Sequence, residues 1–342
     1  MRTKKRRVMG KVLPFVLALL GLPFIASCGK DVSAPLISLK ARVDVIYDDD
    51  CDGDIDCVTT QPLIHHWIDR GYVKVWGMVS SAPTKFGAPA LKVFQQYYGH
   101  DGSFSIGAVA PGCGLHDSAA WAASVVGQFD AGDDCTHYTS CGTVLRQSIA
   151  NYIAGGGAAN GLVYVVTGPL TCEEELRGAP ADGISPLTGA QMEQRYVKEF
   201  VLMNGFAPSG TETNCSEDPV ACSRFFANVT GQNGFPPVYV VPLNTGATSV
   251  VTQIPNSTMP PASPSAYAAK SIGGSGETFD EDALAFVFGV LGGTGWKISA
   301  NSSNSVDAGT GTNTWSGGTA SGQYYLTTSY STSYFEGVLA QQ

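Results

Sequence analysis

The chain carries the stretch VDVIYDDDCDGDID at residues 43–56, where an apolar run leads directly into closely spaced aspartates. Val43 to Tyr47 have the composition of a buried strand, and aspartate then stands at every second position from Asp48 to Asp56. Like charges at this density repel one another unless a cation neutralises them, and carboxylate oxygens are the ligands that calcium prefers. The stretch therefore predicts a strand that ends in a divalent-cation site, most simply a site for Ca2+.

Outward from this stretch, β-branched apolar runs alternate with helix-like runs. Strands are predicted at 43–47, 73–80, 161–167, 200–203 and 237–243, and helices at 58–70, 88–98 and 188–198. This alternation predicts an α/β protein, a single domain with a mostly parallel central sheet flanked by helices. In such sheets ligands bind at the carboxyl ends of the strands, which is where the aspartates lie. From residue 301 onward Gly, Ser, Thr and Asn dominate, which predicts a loop-rich segment packed on the domain through its aromatic residues.

The first 27 residues have the order of an export signal. Basic residues precede an apolar stretch at 12–25, which is too short for the roughly 20 residues of a membrane span. The sequence Ile-Ala-Ser-Cys that ends at Cys28 resembles the lipobox of bacterial lipoproteins and implies acylation of Cys28. We predict a lipoprotein signal peptide at 1–27, a tether at 28–41 and one domain at 42–342. The protein is then exported and lipid-anchored to a membrane of the bacterial cell envelope, on the outer membrane or periplasmic face in a Gram-negative cell.

Charge and cysteine content restrict the partners and the compartment. All charged residues in 1–27 are basic, so their removal moves the formal net charge from -9 to about -15, which argues against nucleic acid as a partner. Eight cysteines follow Cys28, an even number typical of disulfides in an oxidising compartment. The close pairs are Cys51/Cys57, Cys135/Cys141 and Cys215/Cys222, which leaves Cys113 for Cys172. The sequence alone leaves this connectivity open, and also the oligomeric state, a homo-oligomer included.

The aspartate run and several later motifs follow one another in an order known from one family. Asp48, Asp50, Asp54 and Asp56 match four of the five acidic positions of a D-x-D-x-x-x-D-x-D-D motif, with Cys57 at the fifth. Further matches are YYG at 97–99, TGPLT at 167–171, LMNG at 202–205, E-x-N at 212–214, DPVAC at 218–222 and NTW at 313–315. The chain thus resembles the nucleoside hydrolases, specifically the inosine/uridine-preferring group, over roughly residues 43–326. The resemblance implies their Rossmann-related fold.

The resemblance also implies an activity, calcium-dependent hydrolysis of the N-glycosidic bond in ribonucleosides or related ribosyl compounds. In the family the calcium ion holds the ribose hydroxyls and a water, and an aspartate deprotonates that water for attack on the anomeric carbon. Carried over by position, the catalytic residues are Asp50, as general base, and Asp280. The substrate-binding residues are Asp56, Glu212 and Asn214. The metal ligands are drawn from Asp50, Asp54, Asp56, the Thr167 carbonyl, and Asp280 or Asp282, with Asp280 preferred.

Three departures from the family pattern affect the chemistry more than the fold. Cys57 replaces a metal-binding aspartate, so either Asp52 or Asp54 substitutes for it or calcium binds weakly. A Cys51–Cys57 disulfide would close a ring that preorganises the oxygens of the loop. Cys172 replaces an amide near the site. The histidine that protonates the leaving base in many members is missing at Phe279 and Glu281, and His116 is only a loop candidate for that role.

Two other functions remain open at this stage. The protein could be a non-catalytic, calcium-dependent ribosyl- or glycan-binding lipoprotein of the same fold. It could also be an unrelated α/β protein with a purely structural calcium loop, which requires the later motifs to match by coincidence. For the loop itself, the aspartates match an EF-hand or dockerin-like pattern through the ninth position. Thr59 then stands where that pattern needs a bidentate glutamate, and a strand precedes the loop where an EF-hand needs a helix.

Overall fold

The apolar run before the aspartates forms the middle strand of a sheet that is covered on both faces. In the computed structural model this strand, β1, spans Val43–Asp49, and its residues from Val45 onward are buried. A strand covered on both faces needs apolar side chains in both directions, which explains a continuous apolar run instead of alternation. The structure describes residues 41–52, 55–109, 120–129, 134–246, 251–253, 260–271, 277–279, 281–318 and 320–328.

The remaining strands and the helices alternate along much of the chain. The strands are β2 (Val73–Ser80), β3 (Ser105–Ala108), β4 (Thr139–Ser140), β5 (Leu162–Val166), β6 (Val197–Met203), β7 (Ser209–Gly210), β8 (Val238–Val241), β9 (Val251–Gln253), β10 (Glu277–Phe279), β11 (Trp296–Ile298), β12 (Ser302–Val306), β13 (Asn313–Gly317) and β14 (Gln323–Thr328). The helices are α1 (Cys57–Asp69), α2 (Gly87–Tyr97), α3 (Ala120–Phe129), α4 (Cys141–Ala154), α5 (Thr171–Gly178), α6 (Gly189–Tyr196), α7 (Thr213–Glu217), α8 (Pro219–Asn228), α9 (Leu243–Gly246), α10 (Pro264–Ser271) and α11 (Glu281–Leu291). Two short 3-10 helices lie at Cys135–His137 and Gly231–Asn233.

One large sheet organises these elements. Its order is β4-β3-β2-β1-β5-β6-β8-β14-β12-β13-β7, with β11 beside β14. All neighbouring strands from β4 to β14 are parallel, and the pairs from β14 through β12 and β13 to β7 are antiparallel. The predicted α/β domain with a mostly parallel sheet between helices is therefore confirmed.

Helices cover the two faces of the sheet and form two apolar cores. Tyr47 of β1 belongs to the core under α1, α2, α3, α10 and α11, whereas Ile46 belongs to the core under α4, α5 and α8. Successive side chains of a strand point to opposite faces. Asp49 therefore lies on the same face of the sheet as Tyr47, and Asp48 lies on the same face as Ile46. The two aspartates that end β1 therefore start out on different sides of the sheet.

The structure departs from the predicted elements at two places. Residues 188–198 were predicted as one helix, but α6 ends at Tyr196, and Val197 and Lys198 already belong to β6. Between residues 302 and 328, the described part of the segment predicted to be loop-rich forms strands β12 to β14. These strands are rich in Ser, Thr and Gly, so they lack the apolar runs by which a strand is predicted. Buried amides contribute to their packing instead, as in Gln323, which donates to two backbone carbonyls of the α8 region.

Disulfide pairing follows the prediction in part. Cys51 is bonded to Cys57 and Cys215 to Cys222, as predicted. Cys141 is bonded to Cys172, so the predicted Cys135–Cys141 and Cys113–Cys172 pairs are wrong. The sheet explains this, because α4 and α5 pack side by side on one face and bring distant cysteines together. Cys135 is disulfide-bonded as well.

The predicted export signal and Cys28 lie outside the described residues. Among the residues that the structure describes, no helix combines the length and apolar character that a membrane crossing requires.

Candidate functional site

The ends of three neighbouring parallel strands bring the candidate residues to one edge of the sheet. β1 ends at Asp49, β5 ends just before Thr167, and β6 ends just before Asn204. Backbone hydrogen bonds hold the end of β1 to both of its neighbours. The Thr167 amide, after β5, donates to the Asp48 carbonyl at 2.8 Å, and the Ser81 amide, after β2, donates to the Asp49 carbonyl at 2.9 Å. This is the carboxyl edge at which ligands bind in open parallel sheets.

Three buried carboxylates meet at this edge. Asp49 and Asp50 leave the end of β1, and Asp282 lies in the first turn of α11. One carboxylate oxygen of each lies within 4.8 Å of the others, and none of the three side chains is more than 6% exposed. Three hard oxygen donors at this spacing fit a divalent cation such as Ca2+, and they have the donor chemistry that calcium sites use.

A glycine allows the turn after β5 to approach Asp50. A Cβ atom at Gly168 would lie 2.9 Å from the Asp50 Cβ and 2.4 Å from the Ser81 hydroxyl. No side chain fits in that space, so the glycine of the TGPLT motif lets its own backbone lie against Asp50. The motif is thus a packing requirement of this site as well as a sequence signature.

Thr167 is held on both sides. Its hydroxyl lies 2.9 Å from the hydroxyl of Tyr47, and its carbonyl accepts a hydrogen bond from the Asn214 amide at 3.2 Å. The same amide also reaches the Met203 carbonyl at 3.2 Å. A carbonyl oxygen has two lone pairs, so the Thr167 oxygen can accept from Asn214 and still offer a ligand to a cation.

The aspartate at the centre of the sheet, Asp48, is on the other face. Burial raises the pKa of its carboxyl well above the usual range, and the Ser81 hydroxyl opposes this while Asp49 adds to it. Burial, together with the charges of Asp49 and Asp282, likewise raises the pKa of Tyr47 well above its usual value. Tyr47 therefore stays a neutral phenol next to the acidic cluster.

Asp56 and Glu212 cap helices. The Asp56 carboxylate accepts from the Cys57 amide at 3.0 Å and begins α1. The Glu212 carboxylate accepts backbone hydrogen bonds from Gly205, Asn214 and Cys215, and begins α7. These are N-cap contacts of the usual kind. The substrate contacts of Asp56, Glu212 and Asn214 stay predictions.

Asp282, kept at the sequence level as the alternative to Asp280, is the carboxylate that the structure brings to Asp49 and Asp50. Asp54, Asp280 and His116 lie outside the described residues. Asp49 was missed, because the family motif places an unspecified residue there. The alternation of β1 could have found it, since Asp49 has the same parity as Tyr47 and faces α1 and α11.

Cys57, at the fifth acidic position of the motif, offers no ligand. Its sulfur is bonded to Cys51, and metals bind the thiolate of cysteine, which a disulfide lacks. An Asp49 oxygen lies within 4.8 Å of both sulfurs. The oxygen of Asp49 is thus beside the position that the family fills with an aspartate.

Similarity to known proteins appears at the level of structure. No protein-family model and no curated protein matches the sequence. A plant nucleoside hydrolase matches with a TM-score of 0.62 at 14% identity, over 87% of this chain and 97% of that one. A purine-preferring ribonucleoside hydrolase from Gardnerella vaginalis matches with a TM-score of 0.61 at 16% identity, with the same coverage. The type III effector XopQ, solved with adenosine diphosphate ribose, matches with a TM-score of 0.60 at 10% identity, over 89% and 93%.

These matches span most of this chain and nearly all of each neighbour. Identities of this size are evidence for the fold alone. The described chain is a single α/β domain of the nucleoside hydrolase-like fold, with its acidic cluster at the carboxyl edge of the sheet.

Proposed function

We propose that this protein hydrolyses the N-glycosidic bond of ribonucleosides or related ribosyl compounds with the help of bound calcium. The observation that supports this best is the meeting of the buried Asp49, Asp50 and Asp282 carboxylates at the carboxyl edge of a nucleoside hydrolase-like sheet. When bound, the ion supplies the charge that lowers the pKa of a coordinated water and holds the sugar hydroxyls. The carboxylates also create a negative environment that favours an oxocarbenium-like transition state.

Each candidate residue has a distinct role in the proposed hydrolysis. Asp50 takes the proton of the attacking water, a role that needs a carboxylate within hydrogen-bonding reach of that water. The Thr167 carbonyl is an oxygen donor, oriented by Asn214. Asp282 is our candidate for the carboxylate from the last helix, because it lies with Asp50. Asp54, Asp56 and Asp280 remain predicted contributors to the metal and the sugar, with Glu212 and Asn214 on the far side of the sugar.

One observation favours a second function. The Cys57 sulfur is tied up in a disulfide, so the chain lacks a carboxylate that the family motif contains. A protein that kept the fold and bound a ribosyl or glycan ligand through calcium without turnover would tolerate this loss. The two functions differ in one measurable respect, the release of free base.

The test is incubation of the purified protein with inosine, uridine and adenosine, with and without a chelator. We expect free base that disappears with the chelator and in Asp50→Asn, and that persists in Asp101→Asn, a change in a surface ion pair with Lys92. Calcium binding without release of free base would refute the proposed hydrolase and support the binding protein. A chain that neither binds calcium nor releases base would refute both.

We propose in addition that the chain is exported and anchored through acylated Cys28. Mass spectrometry of the protein from its producing cells should find a mature chain that begins at a lipid-modified Cys28. A mature chain that keeps residues 1–27, or one that begins at an unmodified residue, would refute the anchor.

A further inference from the structure

The disulfide at the start of α1 leaves a gap in the metal centre that the proposed function requires. Cys57 is the first residue of α1, and its sulfur bonds to Cys51. In the family motif an aspartate stands here, and it would point a carboxylate from the helix toward the cation. The calcium site therefore needs another oxygen donor from this side of the sheet, because calcium is held by six or more oxygens.

Asp49 lies where that oxygen is needed. Its carboxylate places an oxygen within 4.8 Å of the Cys51 and Cys57 sulfurs, and an oxygen within 4.8 Å of carboxylate oxygens of Asp50 and Asp282. It is the last residue of β1 and is fully buried, on the face of the sheet that α1 covers. The strand β1 thus places a carboxylate beside position 57, where the family motif has an aspartate and this chain has a cysteine.

A second residue of α1 independently points to the same carboxylate. Gln61 is one helical turn after Cys57, on the same side of the helix, and is fully buried. Its amide nitrogen donates to the Asp49 Oδ2 at 2.7 Å. The orientation of the amide follows from chemistry, because a carboxylate only accepts and the opposite orientation would set two acceptors against each other.

The oxygen of the Gln61 amide also indicates that the side chain is positioned by Asp49. Its Oε1 atom is buried and has no hydrogen-bond donor among the residues that the structure describes. In a buried amide both the nitrogen and the oxygen normally form hydrogen bonds. The position of Gln61 therefore favours the bond from its nitrogen to Asp49 over a bond to its oxygen. Bonding one oxygen of Asp49 in this way fixes the carboxylate plane and directs the second oxygen.

We propose that Asp49 is a calcium ligand that replaces the aspartate missing at position 57, and that Gln61 is the positioning residue that holds it. In this arrangement the carboxylate ligand comes from the end of β1 instead of the start of α1, and α1 contributes the Gln61 amide that holds it. This inference rests on the calcium centre of the proposed function and concerns which residues of this chain build it.

Calorimetric titration with calcium tests the inference without any activity assay. We expect Asp49→Asn to weaken calcium binding at least tenfold, since a ligand charge is lost. Gln61→Met should weaken it by about three- to tenfold, the range of one typical hydrogen bond, because Gln61 acts on calcium only through Asp49. The matched control is Gln95→Met, which removes another buried glutamine amide, one that donates to the Phe104 carbonyl at 2.8 Å. Gln95→Met should leave calcium affinity unchanged even where it lowers stability.

A rescue experiment separates ligand replacement from general damage. In the Asp49→Asn background, Cys57→Asp combined with Cys51→Ala returns a carboxylate to the helix and leaves no unpaired thiol. We expect this variant to recover most of the lost calcium affinity.

Equal calcium affinity of Asp49→Asn and the unmodified protein would overturn the inference and leave the proposed function standing. A loss in Gln95→Met as large as in Gln61→Met would also overturn it, and this comparison holds if Asp49→Asn fails to fold. Absence of calcium binding by the unmodified protein would overturn this inference together with the proposed metal centre.

Discussion

The hydroxyl groups of Tyr47 and Thr167 lie 2.9 Å apart in the buried interior and join the middle strand to the end of its neighbour. The ring of Tyr47 also packs edge-on against Phe286 of α11, with 5.8 Å between ring centroids. Tyr47 therefore contacts both Thr167, whose carbonyl is a candidate metal ligand, and the helix that carries Asp282. One side chain thus connects two parts of the candidate metal centre.

This connection predicts the effect of Tyr47→Phe. The ring and its packing stay, but Thr167 loses one of its two hydroxyl contacts and keeps the weaker one to the Asp48 carbonyl at 3.3 Å. We expect a loss of about 1 kcal/mol in the free energy of unfolding and a few-fold weaker calcium binding. Urea denaturation and calcium titration measure the two effects.

Tyr164→Phe is the matched control for that change. Tyr164 lies on the adjacent strand β5, is equally buried, and its hydroxyl has no hydrogen-bond partner among the described residues. Removing a buried hydroxyl without a partner should be neutral or stabilising, and calcium affinity should not change. If both phenylalanine variants lose calcium affinity equally, the Tyr47–Thr167 contact has no special role.

The fold was predictable from periodicity and motif order, and the reason is physical. Buried parallel strands need continuous apolar runs, so β1, β2 and β5 were visible in the sequence to within two residues at either end. Positions at the carboxyl ends of such strands converge automatically. This is why Asp50 and Thr167 could be placed in one site before any coordinates were known.

What the sequence could not provide depends on side-chain direction and on contacts between distant segments. Asp49 was hidden because its role depends on which face of β1 it occupies and on Gln61, twelve residues away. The Cys141–Cys172 bond was hidden because the packing of α4 against α5, and not spacing along the chain, determines which sulfurs meet. Strand β14 was hidden by a polar composition typical of loops.

Two of the three disulfides with both partners assigned, Cys51–Cys57 and Cys141–Cys172, should rank in one order for stability and in the reverse order for metal binding. Cys51 and Cys57 are six positions apart along the acidic loop, whereas Cys141 and Cys172 are 31 positions apart, at the starts of two helices. Loop entropy predicts a loss of about 2 kcal/mol on removing the first bond and about 4 kcal/mol on removing the second. Calcium affinity should follow the reverse order, because only the first bond restrains the aspartates.

The comparison uses the double variants Cys51→Ala/Cys57→Ala and Cys141→Ala/Cys172→Ala. Thermal or urea denaturation gives the stability order, and calcium titration gives the affinity order. If the bond between α4 and α5 matters more for calcium, the acidic loop is not preorganised by its own disulfide.

Gly168 should tolerate no side chain. In Gly168→Ala the new methyl group would lie 2.4 Å from the Ser81 hydroxyl and 3.0 Å from the Asp50 amide nitrogen, so the turn after β5 must move away from Asp50. We expect a loss of about 1–3 kcal/mol in stability and a larger proportional loss of base release. The control is Gly178→Ala, at the end of α5, where a Cβ meets no atom within 4 Å. Equal activity of the two variants would show that the Asp50 approach is not needed.

Two buried glutamates should make stability depend on pH. Glu173 of α5 and Glu193 of α6 are fully buried, and the charge of Glu173 raises the pKa of Glu193, which favours a proton on one of the two carboxyl groups. Burial raises the pKa of Glu173 to about 7, although Arg177, which donates to it at 3.0 Å, opposes the rise. Burial and the charge of Glu173 raise the pKa of Glu193 well above its usual value.

The sign of the effect follows from proton binding. The unfolded chain releases these protons near the ordinary glutamate pKa of 4.5, whereas the folded chain keeps them to about pH 7 or beyond. Between these limits the folded state binds more protons than the unfolded state, so stability falls as pH rises. Glu193→Gln removes one titrating group and the charge that it places beside Glu173. It should therefore be more stable than the unmodified protein at pH 8, by on the order of 2 kcal/mol, with a smaller difference at pH 5.

Urea denaturation at pH 5 and pH 8, in the presence of a chelator, measures this difference apart from calcium binding. Glu199→Gln is the control, because its carboxylate pairs with the exposed Lys198 at 2.6 Å and the change should give a difference that does not grow with pH. A Glu193→Gln protein that is less stable at pH 8 would mean that both carboxylates are ionised in the folded protein. The two carboxylates would then depend on the positive charge of Arg177 for their stabilisation.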